Sequence, residues 1–501
     1  MVLDCYINNK YAEENTFRQK RRENSELPVY SQIKNELPSP IWENHADTIA
    51  CYYKAWEIAF GNLRKPTNYS GFVSNFIDSA FNGCLFMWDS AFIMMFGKYA
   101  KRIFDFQKTM DNLYCKQHPD GFICREIDES NGKDRFERFN PVSTGPNILP
   151  WCEWEYYLIN GDKKRLKKVF PVLLAYHNWL KHYRTWSDGT YWSSGWGCGM
   201  DNMPRLPKGY DVQFSHGHMV WADTCFQQIL SARTLIRMSK IIGRKSDVNA
   251  LENEVEHLTK YVNEILWDDN CAYYYDLWNN GELNYVKSIG AYWALLADVV
   301  PKDRVDRFIA HLDNDNEFKR THRVPTLSAD SPYYEKFGRY WCGSVWAPTN
   351  YMVLKGLEKE GYLKLAHEIA LNHVLNVTEV YKSHGTLYEN YSPETVDKGE
   401  SSKENFVGWT GLSAISIMFE YVFGIISDVN KDKIVWNVNL LDKHGVKNYP
   451  FGKDITLDLV CEARNSPDEE PVIHVQCNSD IVVEVLWGDN KKVIKYLKSK
   501  I

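Results

Sequence analysis

The sequence predicts an all-α fold, about a dozen helices paired as six hairpins in a ring, followed by a small antiparallel β module. Three observations predict it. Apolar residues recur at helical spacing in long stretches, and helix-loop-helix units return roughly every 50 to 60 residues without strict sequence repetition. The period switches to alternation near residue 428. The chain has 501 residues, 44% of them hydrophobic, enough for a large core and for more than one domain.

Residues 1–35 are polar and charged, with the run Arg18-Gln19-Lys20-Arg21-Arg22-Glu23, and read as an N-terminal arm. Residues 36–427 form the helical domain. Leu166, Phe170, Leu173, His177 and Leu180 share one face of a helix over 163–184, in which Pro171 predicts a kink or a boundary. Leu251, Val255, Leu258, Val262 and Ile265 mark a second amphipathic helix. Residues 428–501 form the β module. There Ile455, Leu457, Leu459 and Cys461 alternate with polar neighbours, and the run Ile481–Trp487 ends in the turn signal Gly488-Asp489-Asn490.

The charge balance excludes several classes of function. Lys and Arg number 59 against 65 Asp and Glu, a net charge of -6, which gives no electrostatic footprint for nucleic acid or an anionic membrane. The N-terminal residues lack the apolar core of a signal peptide, and no window approaches the ~20 apolar residues of a spanning helix. A cytoplasmic protein is the expectation. Twelve cysteines lie scattered from Cys5 to Cys477 without Cys-x-x-Cys spacing, as free thiols do.

Aromatic residues make up 14% of the chain, with 18 Trp and 31 Tyr, and many adjoin Gly, Asn, Asp or Pro in loops. Two loop carboxylates stand in such segments. Asp201 follows glycines 195, 197 and 199, which let backbone approach a ligand, while Trp196 and Met203 are placed to desolvate the carboxyl, as a general acid near neutrality requires. Glu389 lies between Tyr388 and Tyr391 in an acidic loop, where tyrosine hydroxyls can orient a base. Taken singly, each segment reads equally well as an ordinary loop. Asp201 suits a helix cap, Asp89 the N-cap of the apolar helix after Trp88, and Glu389 a solvated charge. His216-Gly217-His218 lacks further ligands at metal spacing and reads as structural, so no metal and no cofactor is expected.

The segments together resemble glycoside hydrolase family 63 and its small mannosylglycerate hydrolase-like and trehalase-like relatives. Four motifs occur in order: Phe86-Met87-Trp88-Asp89-Ser90; Gly199-Met200-Asp201-Asn202-Met203-Pro204-Arg205; Tyr340-Trp341-x-Gly343-x-Val345-Trp346-x-Pro348; and Tyr388-Glu389-x-Tyr391-x-Pro393 with Phe406-Val407-Gly408-Trp409. The resemblance covers about 40–425 and implies an (α/α)6 toroid that hydrolyses an α-glycoside with inversion. It implies Asp201 as general acid and Glu389 as general base. Trp88, Asp89, Trp196, Gly199, Asn202, Arg205, Tyr340, Trp341, Trp346, Tyr388 and Trp409 are then the expected substrate-binding set, with Asp89 and Arg205 binding hydroxyls or orienting the acid. An inverting pair must hold its carboxyls roughly 6.5–9.5 Å apart to admit a water. The chain departs from the family at Cys342-Gly343-Ser344, where Arg-Gly-Pro is usual, and at Ala347, commonly Pro. These departures bear on substrate identity.

The expected partner is a small carbohydrate, an α-glucoside or α-mannoside such as a disaccharide, oligosaccharide or glycosylglycerate. Two rivals stay open: a silent sugar-binding protein using the same aromatic pocket, and an epimerase or isomerase on the same ring, for which His384 near Glu389 is the candidate.

Overall fold

The computed structural model describes residues 7–78 and 82–497. Twelve helical segments carry the helical part: α1 (Ala46–Gly61), α2 (Met87–Gly97), α3 (Lys108–Cys115), α4 (Leu149–Asn160), α5 (Lys163–Tyr183), α6 (Ala222–Ile242), α7 (Asn249–Ile265), α8 (Trp293–Ala297), α9 (Lys302–Ile309), α10 (Ala347–Glu360), α11 (Leu363–His384) and α12 (Leu412–Val422). Even-numbered helices contact one another in a circuit: α2 on α4, α4 on α6, α6 on α8, α8 on α10, α10 on α12, and α12 back on α2. Odd-numbered helices flank them, α5 against α4 and α6, α7 against α6, and α11 against α10 and α12.

Composition follows this division. All residues of α2, α8 and α12 are buried, as in helices that are apolar all round. In α7 only Leu251, Glu254, Leu258 and Val262 are buried, one stripe of an amphipathic helix, and Ile265, expected on that stripe, is exposed at its end. Helix α5 runs unbroken through Pro171, which is buried, so the expected boundary is absent. The turn from α4 to α5 uses Gly161 at φ +70°, after which the Asp162 carboxylate accepts from the amides of Lys164 and Arg165 at 3.0 Å each. α12 is wound wider than an α-helix, and the Phe423 amide that closes it reaches back five residues to the Met418 carbonyl at 2.8 Å.

The C-terminal module holds two four-stranded sheets built from β1 (Ser39–Trp42), β2 (Ile425–Asp428), β3 (Lys433–Asn437), β4 (His444–Phe451), β5 (Ile455–Cys461), β6 (Ile473–Cys477), β7 (Ile481–Trp487) and β8 (Asn490–Tyr496). One sheet has the order β1-β4-β5-β6 and the other β2-β3-β7-β8. The alternation read from the sequence is obeyed: Leu457, Leu459 and Cys461 on β5 and Ile481, Val483, Val485 and Trp487 on β7 are buried. Three expectations need correction. The module is not wholly antiparallel, since β3 and β7 pair in parallel. It does not begin at 428, because β2 starts at Ile425 and β1 is supplied from the far end of the chain, Ser39 opposite Lys447. The N-terminal segment is no free arm: Tyr11, Ala12 and Phe17 are buried, and Asn15 donates to the Tyr114 carbonyl at 2.8 Å. Cys5 lies outside the described residues; Cys51, Cys84, Cys124, Cys152, Cys198, Cys225 and Cys461 are buried free thiols. Among the described residues no helix is long and apolar enough to cross a membrane.

At the C-terminal ends of the inner helices four charges form a loop. Lys98 lies 2.8 Å from Glu420, Glu420 3.0 Å from Lys355, Lys355 3.0 Å from Glu155, and Glu155 3.9 Å from Lys98. All four are buried. Burial works to raise the Glu420 pKa, but Lys355 and Lys98 outweigh it and hold the carboxyl at about 2. Its folded-state pKa being depressed, the stability it contributes is present above the ordinary carboxylate range and lost as pH falls through about 2. Glu420→Gln leaves buried lysine charge unanswered and is expected to cost about 3–5 kcal/mol, read as a lower urea midpoint at pH 7. An unchanged midpoint would show the loop to be energetically idle.

Candidate active site

A cavity of about 370 Å³ opens at the N-terminal ends of the inner helices. That volume suits a small ligand. Four segments build it. Cys84–Phe86 pairs antiparallel with Glu126–Asp128, and the Met87 amide donates to the Arg125 carbonyl at 2.8 Å. This short ribbon sets Trp88 and Asp89, in the first turn of α2, beside Arg125 and Glu126. Asp89 is the third residue of that helix and not its cap, which is Phe86.

The second segment carries Asp201. Its loop folds on itself through Cys198 N–H to the Ser194 carbonyl at 2.8 Å and Met203 N–H to the Met200 carbonyl at 3.0 Å. Gly199 takes φ +78°, and a Cβ there would meet the Trp88 ring at 3.3 Å, so glycine lets the loop close against the tryptophan. No helix follows Asp201 for it to cap.

The third and fourth segments carry Tyr340-Trp341 and Glu389. Val345 and Tyr391 exchange backbone bonds at 2.9 and 3.0 Å, the Glu389 amide donates to the Lys403 carbonyl at 2.9 Å, and the Trp409 indole donates to the Glu389 carbonyl at 2.9 Å. The Glu389 carboxylate accepts from the Tyr340 hydroxyl at 3.1 Å and from the Lys403 amide at 3.3 Å. Tyr340 holds φ +57°, a left-handed conformation costly for an aromatic residue and typical of backbone strained at a site.

Of the expected substrate-binding set, Trp88, Asp89, Trp196, Gly199, Tyr340, Trp341 and Trp409 line the cavity with Asp201 and Glu389. Four residues stand behind the wall. Trp346 is fully buried and stacks on Trp341, centroids 3.9 Å apart and 5° between planes. Tyr388 is buried and its carbonyl accepts from Thr410 at 2.8 Å. Asn202 joins the two loops, accepting from the Trp341 amide at 2.8 Å and donating to the Arg339 carbonyl at 3.1 Å. Arg205 is spent on two buried carboxylates, Asp223 at 2.7 Å and Asp276 at 2.6 Å, with its guanidinium 4.2 Å from the Trp221 ring centre. Met203, expected over Asp201, is buried outside the cavity lining.

The departures from the family motif also point elsewhere. The Cys342 thiol faces the Asn202 carbonyl at 3.2 Å, and the Ser344 hydroxyl donates to the Gly338 carbonyl at 2.7 Å. His384 is outside the cavity lining; its ring lies between the Val380 carbonyl at 3.1 Å and Asp397 at 3.5 Å. His216 and His218 pack about the Trp186 ring.

Arg125, Glu126, Arg135 and Lys403 also line the cavity, and the sequence did not single them out. Arg125 pairs with Glu126 at 2.5 Å and lies 5.8 Å over Trp196. Charged residues scattered through 125–135 carry no signal in one sequence; the pairing of 126–128 with 84–86 brings them in.

Burial pushes Asp201 up to about 7, with Arg125 opposing and Glu126 and Glu389 adding to the rise. Asp89 is raised well above the usual range by burial and then by Glu389. Burial raises Glu389 as well, while the Lys403 amide and charge and the Tyr340 hydroxyl oppose it. Asp201 thus keeps its proton to about 7 beside a hydrogen-bonded Glu389, an arrangement suited to proton donation and proton abstraction.

The protein matches the family model of the mannosylglycerate hydrolase MGH1-like glycoside hydrolase domain over residues 85–410. It is 25% identical over 411 residues to an uncharacterized protein of Borreliella burgdorferi, covering 79% of this chain and 82% of that one. It is 24% identical over 350 residues to a mannosylglycerate hydrolase of Thermus thermophilus, covering 56% of this chain and 83% of that one. The crystal structure of a GH63 mannosylglycerate hydrolase from Thermus thermophilus in complex with glucose superposes with TM-score 0.60 at 22% identity, over 74% of this chain and 99% of that one. The chain belongs to the MGH1-like glycoside hydrolase family.

Arg205 gives a test of the geometry. Arg205→Met strands two buried carboxylates and is expected to lower stability by about 3–5 kcal/mol. A variant with native stability and a KM raised about tenfold would put Arg205 on substrate instead.

Proposed function

We propose that this member of the family is an inverting α-glycoside hydrolase built on an (α/α)6 toroid, with Asp201 as general acid and Glu389 as general base. The circuit of even-numbered helices supports the toroid. The unequal environments of two carboxyls in one cavity carry the mechanism: Asp201 keeps its proton to about 7, while the Tyr340 hydroxyl and the Lys403 amide oppose the rise that burial imposes on Glu389. Asp201 protonates the glycosidic oxygen as the bond to the anomeric carbon breaks. Glu389 takes a proton from the water that attacks the opposite face, and the product leaves with inverted configuration.

Trp88, Trp196, Trp341 and Trp409 offer apolar faces to the sugar ring. Arg125, Arg135 and Lys403 supply three positive charges to the lining. Positive charge from Arg125 and Arg135 favours, within the α-glucosides and α-mannosides, a substrate whose leaving group bears a carboxylate, such as a glycosylglycerate. Unpaired cysteines fit a reducing, cytoplasmic setting.

Asp201→Asn and Glu389→Gln should each lower kcat at least about 10²-fold with native circular dichroism; near-normal hydrolysis by either variant would sink the assignment. Proton NMR should show the β-anomer first from an α-substrate, and the α-anomer first would mean retention. The alkaline limb of kcat/KM should fall near pH 7, where Asp201 loses its proton. A limb unchanged by substitutions at Arg125 that move the Asp201 pKa would argue against this acid.

A further inference from the structure

A second cavity, about 590 Å³, lies at the opposite ends of the inner helices, between the helical ring and strands β2 and β3. It is larger than the catalytic cavity and sits where two structural units meet, a common place for small-molecule sites. Its inner wall is the loop of Lys98, Glu420, Lys355 and Glu155. Buried ionic loops of this kind are costly compared with apolar packing, and the catalytic step makes no use of this one. Tyr99, Trp151, Trp154 and Tyr449 also line the cavity. Trp154 is partly exposed, its ring centre 5.4 Å from that of Tyr157.

We infer that this cavity is a second binding site, for a small neutral carbohydrate or polyol. Ion pairing in and behind the wall favours that class. Within the lining Lys98 and Lys355 are answered by Glu155 and Glu420. Lys431 is 3.2 Å from Asp428, while Lys433 and Lys359 pair from behind the wall with Glu484 at 2.9 Å and Asp298 at 3.5 Å. Glu358 lies 3.5 Å from Lys355, and Arg237 is exposed. Each lysine of the lining thus already holds a carboxylate partner, with which an entering anion would have to compete. Fixed carboxylate acceptors and ammonium donors beside aromatic faces are what a ring of hydroxyls with apolar C–H faces can satisfy.

The two cavities share a wall. Trp88 lines the catalytic cavity, Trp293 packs edge-on to it at 6.2 Å, and Trp151, 5.6 Å from Trp293, lines the second. A ligand in the second cavity therefore bears on the ring that Gly199 closes against.

The test is calorimetric titration of the full chain with glucose and with mannose, beside glycerate and inorganic phosphate as charged controls. Two sites are expected for a neutral sugar. Trp154→Ala and Ser427→Trp, which fills the cavity from β2, should each weaken one site at least tenfold, and Trp196→Ala the other. Hydrogen exchange on the unaltered chain, which needs no variant to fold, should slow over 425–437 when sugar is added. A single site lost only in Trp196→Ala, tighter binding of phosphate or glycerate to the site that Trp154→Ala removes, or unchanged exchange over 425–437 would each overturn the inference.

Discussion

The position of Asp201 depends on one buried ion cluster. Arg205, four residues beyond it, is gripped by Asp223 in the first turn of α6 and by Asp276 on the strand 276–278. Asp276 also accepts from the Ala222 amide at 2.9 Å, so the same carboxylate satisfies the start of the helix. From that fixed point the loop returns through Asn202, which binds the Trp341 backbone, and Trp341 adjoins Tyr340, whose hydroxyl holds Glu389. The two carboxyls are thus tied to one helix by a continuous series of hydrogen bonds. Positional precision of this kind is what two irregular loops lack when each is held only at its own ends.

Much of the fold was legible because periodicity survives without partners. The stripe of α7 and the alternation of β5 and β7 are properties of single segments, and both are present in the structure. What failed involved long range. Strand β1 is far from β4 in sequence, and nothing in Ser39-Pro40-Ile41-Trp42 announces its partner. Pro171 fits inside α5 because its cost can be met by burial, which a local rule does not weigh. The site divides the same way. Its aromatic and acidic members stood out by composition, whereas Arg125 and Arg135 are ordinary charges until a two-strand ribbon places them. Asn202 and Arg205 sit within a motif and were grouped with the substrate-binding residues, yet their bonds go to the protein.

The departures at Cys342 and Ser344 have a different meaning once their partners are known. Both side chains are turned to backbone carbonyls, of Asn202 and Gly338, and neither lines the cavity. They hold the loop that presents Tyr340 in its left-handed conformation. Positive charge reaches the cavity from Arg125, Arg135 and Lys403 instead. Substrate preference is therefore better sought in those three side chains than in the altered motif.

Asp89 completes the electrostatics of the cavity. Four carboxyls, Asp89, Glu126, Asp201 and Glu389, line one small space, where like charges oppose each other's ionisation. Burial falls hardest on Asp89, only 4% exposed, and the Glu389 charge pushes in the same direction. Its proton changes its chemistry from acceptor alone to donor and acceptor, which suits a sugar hydroxyl that must do both. The sequence alone left Asp89 between a helix cap and a substrate-binding residue; the structure places it inside the helix and in the cavity lining, where burial and Glu389 both make it hold its proton.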